Sequence, residues 1–340
     1  MPLPARRTFR FGATAALALA LAYGFATPLP FLAPLFAVAL TATPAPPMGL
    51  KGLTGLLLVV AITLGTGLVL TPLLRYYPWS AVMMIAAGLF VSTYMSVGLG
   101  KGAVATLLTI GLTMIPAAGL VEHALAQSVV EALLIGIGLA IICQWIVYPF
   151  LPEDPVPPRQ RRTVHADTRQ AGWIALRTTA IVLPPVLLAF SNPSMYMAII
   201  MKAVLLGQQG SIVNARAAGR ELLGSTSLAG FFAIAFWFAL KLWPGLWMFA
   251  LWMLLFGVYV GGKLYGVLAT RFSPSFWVNV AVTMLILVGP AVEDSKGGDV
   301  YGAFAQRFIL FVAVTVYAWF AILVLERLRA GLVGRSVRMT

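Results

Sequence analysis

The feature that most constrains this chain is a series of long apolar runs that recurs from residue 11 to residue 326. A straight helix needs about 20 apolar residues to cross a hydrocarbon core of roughly 30 Å. The polar segments between the runs are too short for a soluble domain. Only 10% of the residues are charged, whereas a soluble domain has about a quarter. The sequence therefore predicts an all-α polytopic membrane protein.

The apolar runs predict about twelve transmembrane helices. The predicted spans are 11–26, 31–43, 54–74, 79–97, 103–121, 128–150, 171–190, 194–207, 215–240, 245–268, 274–292 and 304–326. The second and eighth spans are too short to cross as straight helices. We expect them to be half-helices or helices buried among the others.

The spans fall into two halves that resemble each other. Residues 1–150 and 171–326 are separated by a linker, 151–170, and followed by a basic tail, 327–340. "TPLPF" recurs as "NPSMY" and "LTIGLTMIPAA" as "VTMLILVGPAV". Because each half has an even number of spans, both halves enter the membrane in the same sense. This predicts two parallel six-helix repeats around a pseudo-twofold axis along the membrane normal, with a pathway between them.

The distribution of basic residues predicts the orientation. The net charge is +13, but cytoplasmic loops of membrane proteins collect Lys and Arg, so we expect no nucleic-acid partner. With the N-terminus inside, most of the basic residues are cytoplasmic. The exceptions are Arg75, Lys241, Lys296 and Arg307 outside, and Arg177 and Lys202 within spans. This predicts a multi-pass protein of a bacterial inner membrane with both termini cytoplasmic.

The sequence carries no pattern of a catalytic or cofactor site. Cys143 is the single cysteine, and the sequence has neither CxxC nor a phosphate-binding GxxxxGK[ST] motif. His123 and His165 both fall in loops without a partner pattern. We therefore expect no metal, no cofactor and no enzymatic activity, since an enzyme would need a nucleophile with a base, or a metal or phosphate motif.

Three ionisable residues within or near spans form the candidate site. Arg177, Lys202 and Glu221 each lie five or six residues from a cytoplasmic helix end, at a depth of roughly 8–10 Å. Arg177 and Lys202 suit an organic carboxylate, and Glu221 suits a counter-ion or proton carrier. The alternative is structural: Lys202 and Glu221 neutralise each other, while Arg177 extends to the interface.

The start of the ninth span predicts a cytoplasmic mouth for the same pathway. Arg216 and Arg220 follow a helix N-terminus at i and i+4, and Gln208 and Gln209 precede it. Two cations at a helix N-terminus oppose the helix dipole unless an anion binds there. The alternative is that both arginines only enforce the topology.

Two further residues have weaker indications. Tyr196 lies deep enough to stack on an aromatic substrate, although core packing explains it equally well. Glu131 lies just inside the outer end of the sixth span, where it could carry protons, but a residue near the interface needs no such role.

Several motifs together resemble a known transporter family. These are the short first and second spans after an Arg-bearing N-terminus, "MGLKGLTGLLLVVAITLGTG" at the third span, and "ARAAGRELLGST" in the second half. The chain resembles the fusaric acid resistance and aromatic acid exporter superfamily. The resemblance covers nearly the whole chain, but the sizeable cytoplasmic domain of the larger exporters is missing between the halves.

The resemblance implies a function. Members export small organic anions, including aromatic carboxylates, often with a periplasmic adaptor of the membrane-fusion type. We therefore expect an inner-membrane efflux transporter driven by the proton gradient. Its partners would be the organic anion, the bilayer, the adaptor and further copies of the chain. The alternatives are a passive organic-anion channel and, less favoured, a membrane-embedded enzyme.

Overall fold

The apolar runs of the sequence form helices. The computed structural model describes residues 1–154, 168–193, 215–294 and 300–337, together with Tyr196, Ile200 and Lys202. Within these residues the secondary structure is α-helical, with no strand. The helices are α1 (Leu3–Gly24), α2 (Leu32–Thr41), α3 (Leu50–Tyr76), α4 (Pro78–Gly98), α5 (Gly102–Val121), α6 (His123–Val147), α7 (Thr168–Ser191), α8 (Ala215–Leu242), α9 (Leu246–Leu264), α10 (Pro274–Asp294) and α11 (Val300–Val337).

Most of these helices can cross a bilayer. In the described part of the chain, 9 helices, α3 to α11, are long and apolar enough to do so. α2 has only 10 residues, as the short second span predicts. The eighth predicted span, 194–207, falls largely outside the described residues. By helix length and composition, the chain is a multi-pass membrane protein.

The last helix is longer than the hydropathy indicates. α11 continues to Val337, so the first part of the predicted tail, 327–340, is helical. Its sequence there, "RLRAGLVGRSV", contains several strong helix formers. Hydropathy marks where apolar residues end, whereas the backbone hydrogen bonds of a helix can continue into water. The helix therefore ends later than the predicted span.

The chain divides into two compact units, and each unit draws on both halves of the sequence. Unit 1 comprises the described residues within Met1–Ile62, Ala124–Arg162 and Ser225–Phe308. Unit 2 comprises those within Thr63–His123, Thr163–Gly224 and Ile309–Thr340. Compact units and sequence repeats are different kinds of division, so the repeats predicted over 1–150 and 171–326 stay a prediction.

Unit 1 is organised by the close crossing of α1 and α9. A Cβ atom added to Gly12 would lie 2.9 Å from the backbone nitrogen of Val258. A Cβ atom on Gly257 would lie 2.7 Å from the Cα atom of Gly12. Small residues are the usual means by which membrane helices approach this closely. α2 packs against α1 and α10, and α10 also packs against α9.

Small residues also organise unit 2. A Cβ atom on Gly111 of α5 would lie 2.2 Å from the carbonyl oxygen of Thr63 on α3. α4 packs against both α5 and α7. Between α4 and α5, the hydroxyl of Ser92 lies 2.7 Å from that of Thr109 and donates to the carbonyl oxygen of Ala105 at 2.6 Å. These bonds satisfy the buried hydroxyl of Ser92 and the partly buried hydroxyl of Thr109.

Candidate functional site

The candidate site lies in unit 2, where α7 places Arg177 in the protein interior. Its side chain is 3% exposed. One guanidinium nitrogen, Nη1, donates to Oε1 of Glu326 at 2.5 Å, and Glu326 comes from α11. A charge-assisted hydrogen bond of this kind is roughly twice as strong as a neutral one. The guanidinium of Arg177 is therefore neutralised by a carboxylate inside the protein and does not extend to the interface.

Further contacts join α7 to α11 on both sides of this ion pair. The hydroxyl of Tyr317 donates to the carbonyl oxygen of Ala180 at 3.3 Å. The guanidinium carbon of Arg329 lies 5.3 Å from the ring centroid of Trp173. The two helices thus run alongside each other in opposite directions, and the ion pair lies within a longer line of contacts.

Lys202 is the most deeply buried charged side chain of the candidate site. Its side chain has no exposed surface. Its ammonium nitrogen lies 6.0 Å from the ring centroid of Phe311, which is itself fully buried on α11. The face of an aromatic ring attracts a cation, and the attraction is larger away from water.

Tyr196 and Glu221 belong to the same unit. Tyr196 packs against a hydrophobic cluster that includes Ile181 of α7, Val314 of α11 and Leu222 of α8. Glu221 precedes Leu222 and is partly buried. The structure therefore brings four predicted residues, Arg177, Lys202, Tyr196 and Glu221, into one unit. The packing of Tyr196 matches its interpretation as a core residue.

The structure says less about the other predicted site residues. Gln208 and Gln209 lie outside the described residues, and so does His165. Arg216 and Arg220 belong to the first turns of α8, as predicted, but their side chains lie outside what the structure describes. Glu131 is exposed on α6 and belongs to unit 1.

The acidic partner of Arg177 is the residue that sequence reasoning missed. Glu326 stands in "LERLR" at the cytoplasmic end of the last predicted span, where basic residues dominate. In the sequence, that segment indicates only topology. The informative signal was a single carboxylate near the end of the last apolar run.

A second ion-pair cluster joins the N-terminus to the linker in unit 1. Nη2 of Arg10, whose side chain is 6% exposed, donates to Oε2 of Glu153 at 2.7 Å. Arg7 donates to the other oxygen of the same carboxylate, and Arg6 pairs with Asp154 at 2.6 Å. These three arginines therefore have structural partners, in addition to the topological role that the sequence predicts for them.

The charge state of Glu153 follows from these contacts. Burial alone would raise the pKa of Glu153, but the hydrogen bonds and positive charges of Arg7 and Arg10 outweigh it and hold the pKa below its usual value. Glu153 therefore stays ionised at neutral pH.

Comparison with known protein families gives a match to the first half of the chain. Residues 7–147 match the model of a family described as "Protein of unknown function (DUF2955)". The matched segment begins in α1 and ends at the last residue of α6. No curated protein and no solved structure matches the chain. The resemblance to the fusaric acid resistance superfamily stays a prediction.

Proposed function

We propose that the chain is a transporter of small organic anions and that it exports aromatic carboxylates across the bacterial inner membrane. The observation that carries the proposal is Lys202, a fully buried ammonium in a chain of membrane-spanning helices. A Lys at the centre of a bilayer costs about 2.5–3.5 kcal/mol on insertion scales, so such residues mark substrate or ion pathways by default.

Arg177 supports the same proposal in a different way. Its guanidinium is held by Glu326, so an organic carboxylate reaching Arg177 would have to share it with Glu326 or displace it. An ion pair that opens when substrate binds is a suitable element for alternating between two states, because each partner stabilises a different state. We propose Glu221 as the proton carrier. The cytoplasmic mouth of the pathway would be formed by Gln208, Gln209, Arg216 and Arg220.

We further propose that the chain is a fusion of two six-helix repeats. The family match, residues 7–147, spans the first proposed repeat. In unit 1 the first helix, α1, packs on α9, and in unit 2 its proposed counterpart α7 packs on α4, the counterpart of α9. The two buried arginines also correspond: Arg10 pairs with Glu153 and Arg177 with Glu326. Glu153 follows α6, and Glu326 lies within α11.

The orientation and partners belong to the same proposal. Both termini would be cytoplasmic, and a periplasmic adaptor would receive the exported anion. Association with further copies of the chain would complete the assembly. An enzymatic function is the least favoured alternative, and it would be revived if changing His123 or His165 abolished an activity of the purified protein.

The proposal is tested by flux of 4-hydroxybenzoate in proteoliposomes. Replacing Lys202 by Met removes the charge at similar length. Losing one charge-assisted contact of about 1.5–3 kcal/mol predicts a roughly ten- to hundredfold lower initial rate. Lys101→Met is the matched control, since Lys101 is an exposed lysine of the same unit. An unchanged rate in a correctly folded Lys202→Met protein would refute the site.

A passive anion channel is the second candidate, because the same cations would serve it. The two mechanisms differ in their dependence on Glu221 and on a pH gradient. Proton-coupled export predicts that a pH gradient accelerates flux and that Glu221→Gln abolishes this acceleration. A flux that does not depend on the pH gradient and is unchanged in Glu221→Gln would establish the channel instead.

A further inference from the structure

Unit 1 contains a cavity that the transport proposal does not use. It has a volume of about 490 Å³ and lies at the C-terminal end of α1, between the end of α8 and the start of α9. Its walls include the rings of Tyr23, Trp237 and Phe249. Sites for small molecules usually have volumes of about 300–1,000 Å³ and apolar or aromatic walls with a few polar groups. The cavity has the size and lining of such a site.

Two hydrogen-bond donors accompany the apolar walls. Lys241 lines the cavity, and its ammonium nitrogen donates to the hydroxyl of Tyr301 and lies 4.7 Å from the centroid of that ring. An ammonium has three donors, so this contact leaves capacity for a ligand. The hydroxyl of Tyr23 is buried and has no hydrogen-bond partner in the described part of the chain. A ligand that accepts hydrogen bonds can reach Lys241 directly, whereas the Tyr23 hydroxyl, which has almost no accessible surface, would have to turn toward it.

We propose that this cavity binds a small amphiphilic monoanion, a carboxylate carried on an aromatic ring system. The ring would pack against Tyr23, Trp237 and Phe249, and the carboxylate would accept hydrogen bonds from Lys241. A carboxylate supplies the charged acceptor that the exposed ammonium of Lys241 lacks, since its acceptor in the structure is the neutral hydroxyl of Tyr301. The site belongs to unit 1 and stands independently of whether the chain transports anions.

Because an acidic residue lies close to the cavity, the sign of the ligand's charge has to be decided. Val292 lines the cavity on α10, and Glu293 follows it in the chain. An aromatic amine would favour Glu293, whereas an aromatic carboxylate favours Lys241. Because Lys241 itself lines the cavity, we propose an anionic ligand. A phospholipid with two acyl chains is larger than the cavity and would have to leave most of its apolar volume outside.

The test is a binding titration of the full chain in detergent by isothermal calorimetry. The probes are 1-naphthoate, the neutral 1-naphthalenemethanol and the cationic 1-naphthylmethylamine, which share one ring system and differ in charge. We expect 1-naphthoate to bind most tightly. In Lys241→Gln its Kd should rise about tenfold or more, while the Kd of the neutral probe stays the same. Lys51→Gln, an exposed lysine of the same unit, is the control.

Leu240→Trp locates the binding, because Leu240 lines the cavity and a larger side chain would fill it. It should abolish the component of 1-naphthoate binding that Lys241→Gln weakens. The inference is overturned if the amine binds more tightly than the carboxylate, if Leu240→Trp in a folded protein leaves binding unchanged, or if only anionic phospholipid vesicles bind. Calorimetry measures no flux, so absence of transport in proteoliposomes would leave this result standing.

Discussion

Buried arginines at the start of each half are held by glutamates that lie far away in sequence. Arg10 and Arg7 share Glu153, and Arg177 pairs with Glu326. Removing one partner of a buried pair is costly because the remaining charge stays away from water. At the scale of single residues, these ion pairs join α1 to the segment after α6 and join α7 to α11.

The Glu153 cluster predicts a specific loss of stability. Glu153→Gln should lower the free energy of unfolding by about 1–3 kcal/mol, since Arg7 and Arg10 lose their shared carboxylate. Asp154→Asn is the matched control, because the side chain of Asp154 is 52% exposed, and exposed pairs contribute roughly 0–1 kcal/mol. Thermal unfolding in detergent measures both. Equal effects of the two variants would contradict the assignment.

The same cluster predicts a pH dependence with a definite sign. The pKa of Glu153 is lowered in the folded protein, so its contribution is present above the unfolded pKa, about 4.3, and is lost as the pH falls through the folded value. The stability difference between wild type and Glu153→Gln should therefore be constant near neutral pH and shrink below about pH 4. A difference that grows on acidification would reverse the argument.

At the scale of helices, glycine position decides which pairs can pack closely. α1 presents Thr8 and Gly12 one turn apart, and α9 presents Gly257 and Gly261 with the same spacing. A Cβ atom on Gly261 would lie 3.1 Å from the carbonyl oxygen of Thr8. Dispersion contacts between close backbones replace the hydrophobic effect, which is weak between helices in lipid.

Two glycine substitutions should have opposite effects, one at the α1–α9 crossing and one on α6. Gly12→Ala should destabilise the protein by about 1–3 kcal/mol, because its methyl group would overlap with the backbone of Val258. Gly138→Ala should be neutral or stabilising by up to about 1 kcal/mol, since nothing lies within 4 Å of its Cβ position and alanine favours a helix. Unfolding temperatures of the purified variants decide the matter. A tolerated Gly12→Ala would show that the crossing is looser than described.

At the scale of the whole molecule, the proposed orientation fixes which loops face the cytoplasm. With the N-terminus inside, the loop at Tyr77 faces outward and the loop at Lys101 faces inward. Cys143 is fully buried, so Cys143→Ala should provide a background without reactive thiols. In intact cells, an impermeant maleimide should label Tyr77→Cys and leave Lys101→Cys unlabelled until the membrane is opened. If only Lys101→Cys were labelled in intact cells, the orientation would be the opposite of the proposed one.

The sequence by itself determined the number and position of most helices. Apolar runs form helices in a membrane because every backbone N–H and C=O must be bonded within the segment. The short second span follows from the sequence for the same local reason. The sequence also marked Arg177 and Lys202, because ionisable residues stand out against apolar neighbours.

Only the tertiary structure decided which residues meet. The partner of Arg177 lies 149 positions away, and no local pattern ties Glu326 to it. The cavity beside Lys241 is formed by residues of α1, α8, α9 and α10 and the loop after α8, so it exists only after these elements pack. Helix formation depends on bonds within a segment, which the segment's own sequence specifies, whereas packing depends on the joint shape of distant segments. For that reason the helices were predictable, and the ion pairs and the cavity were not.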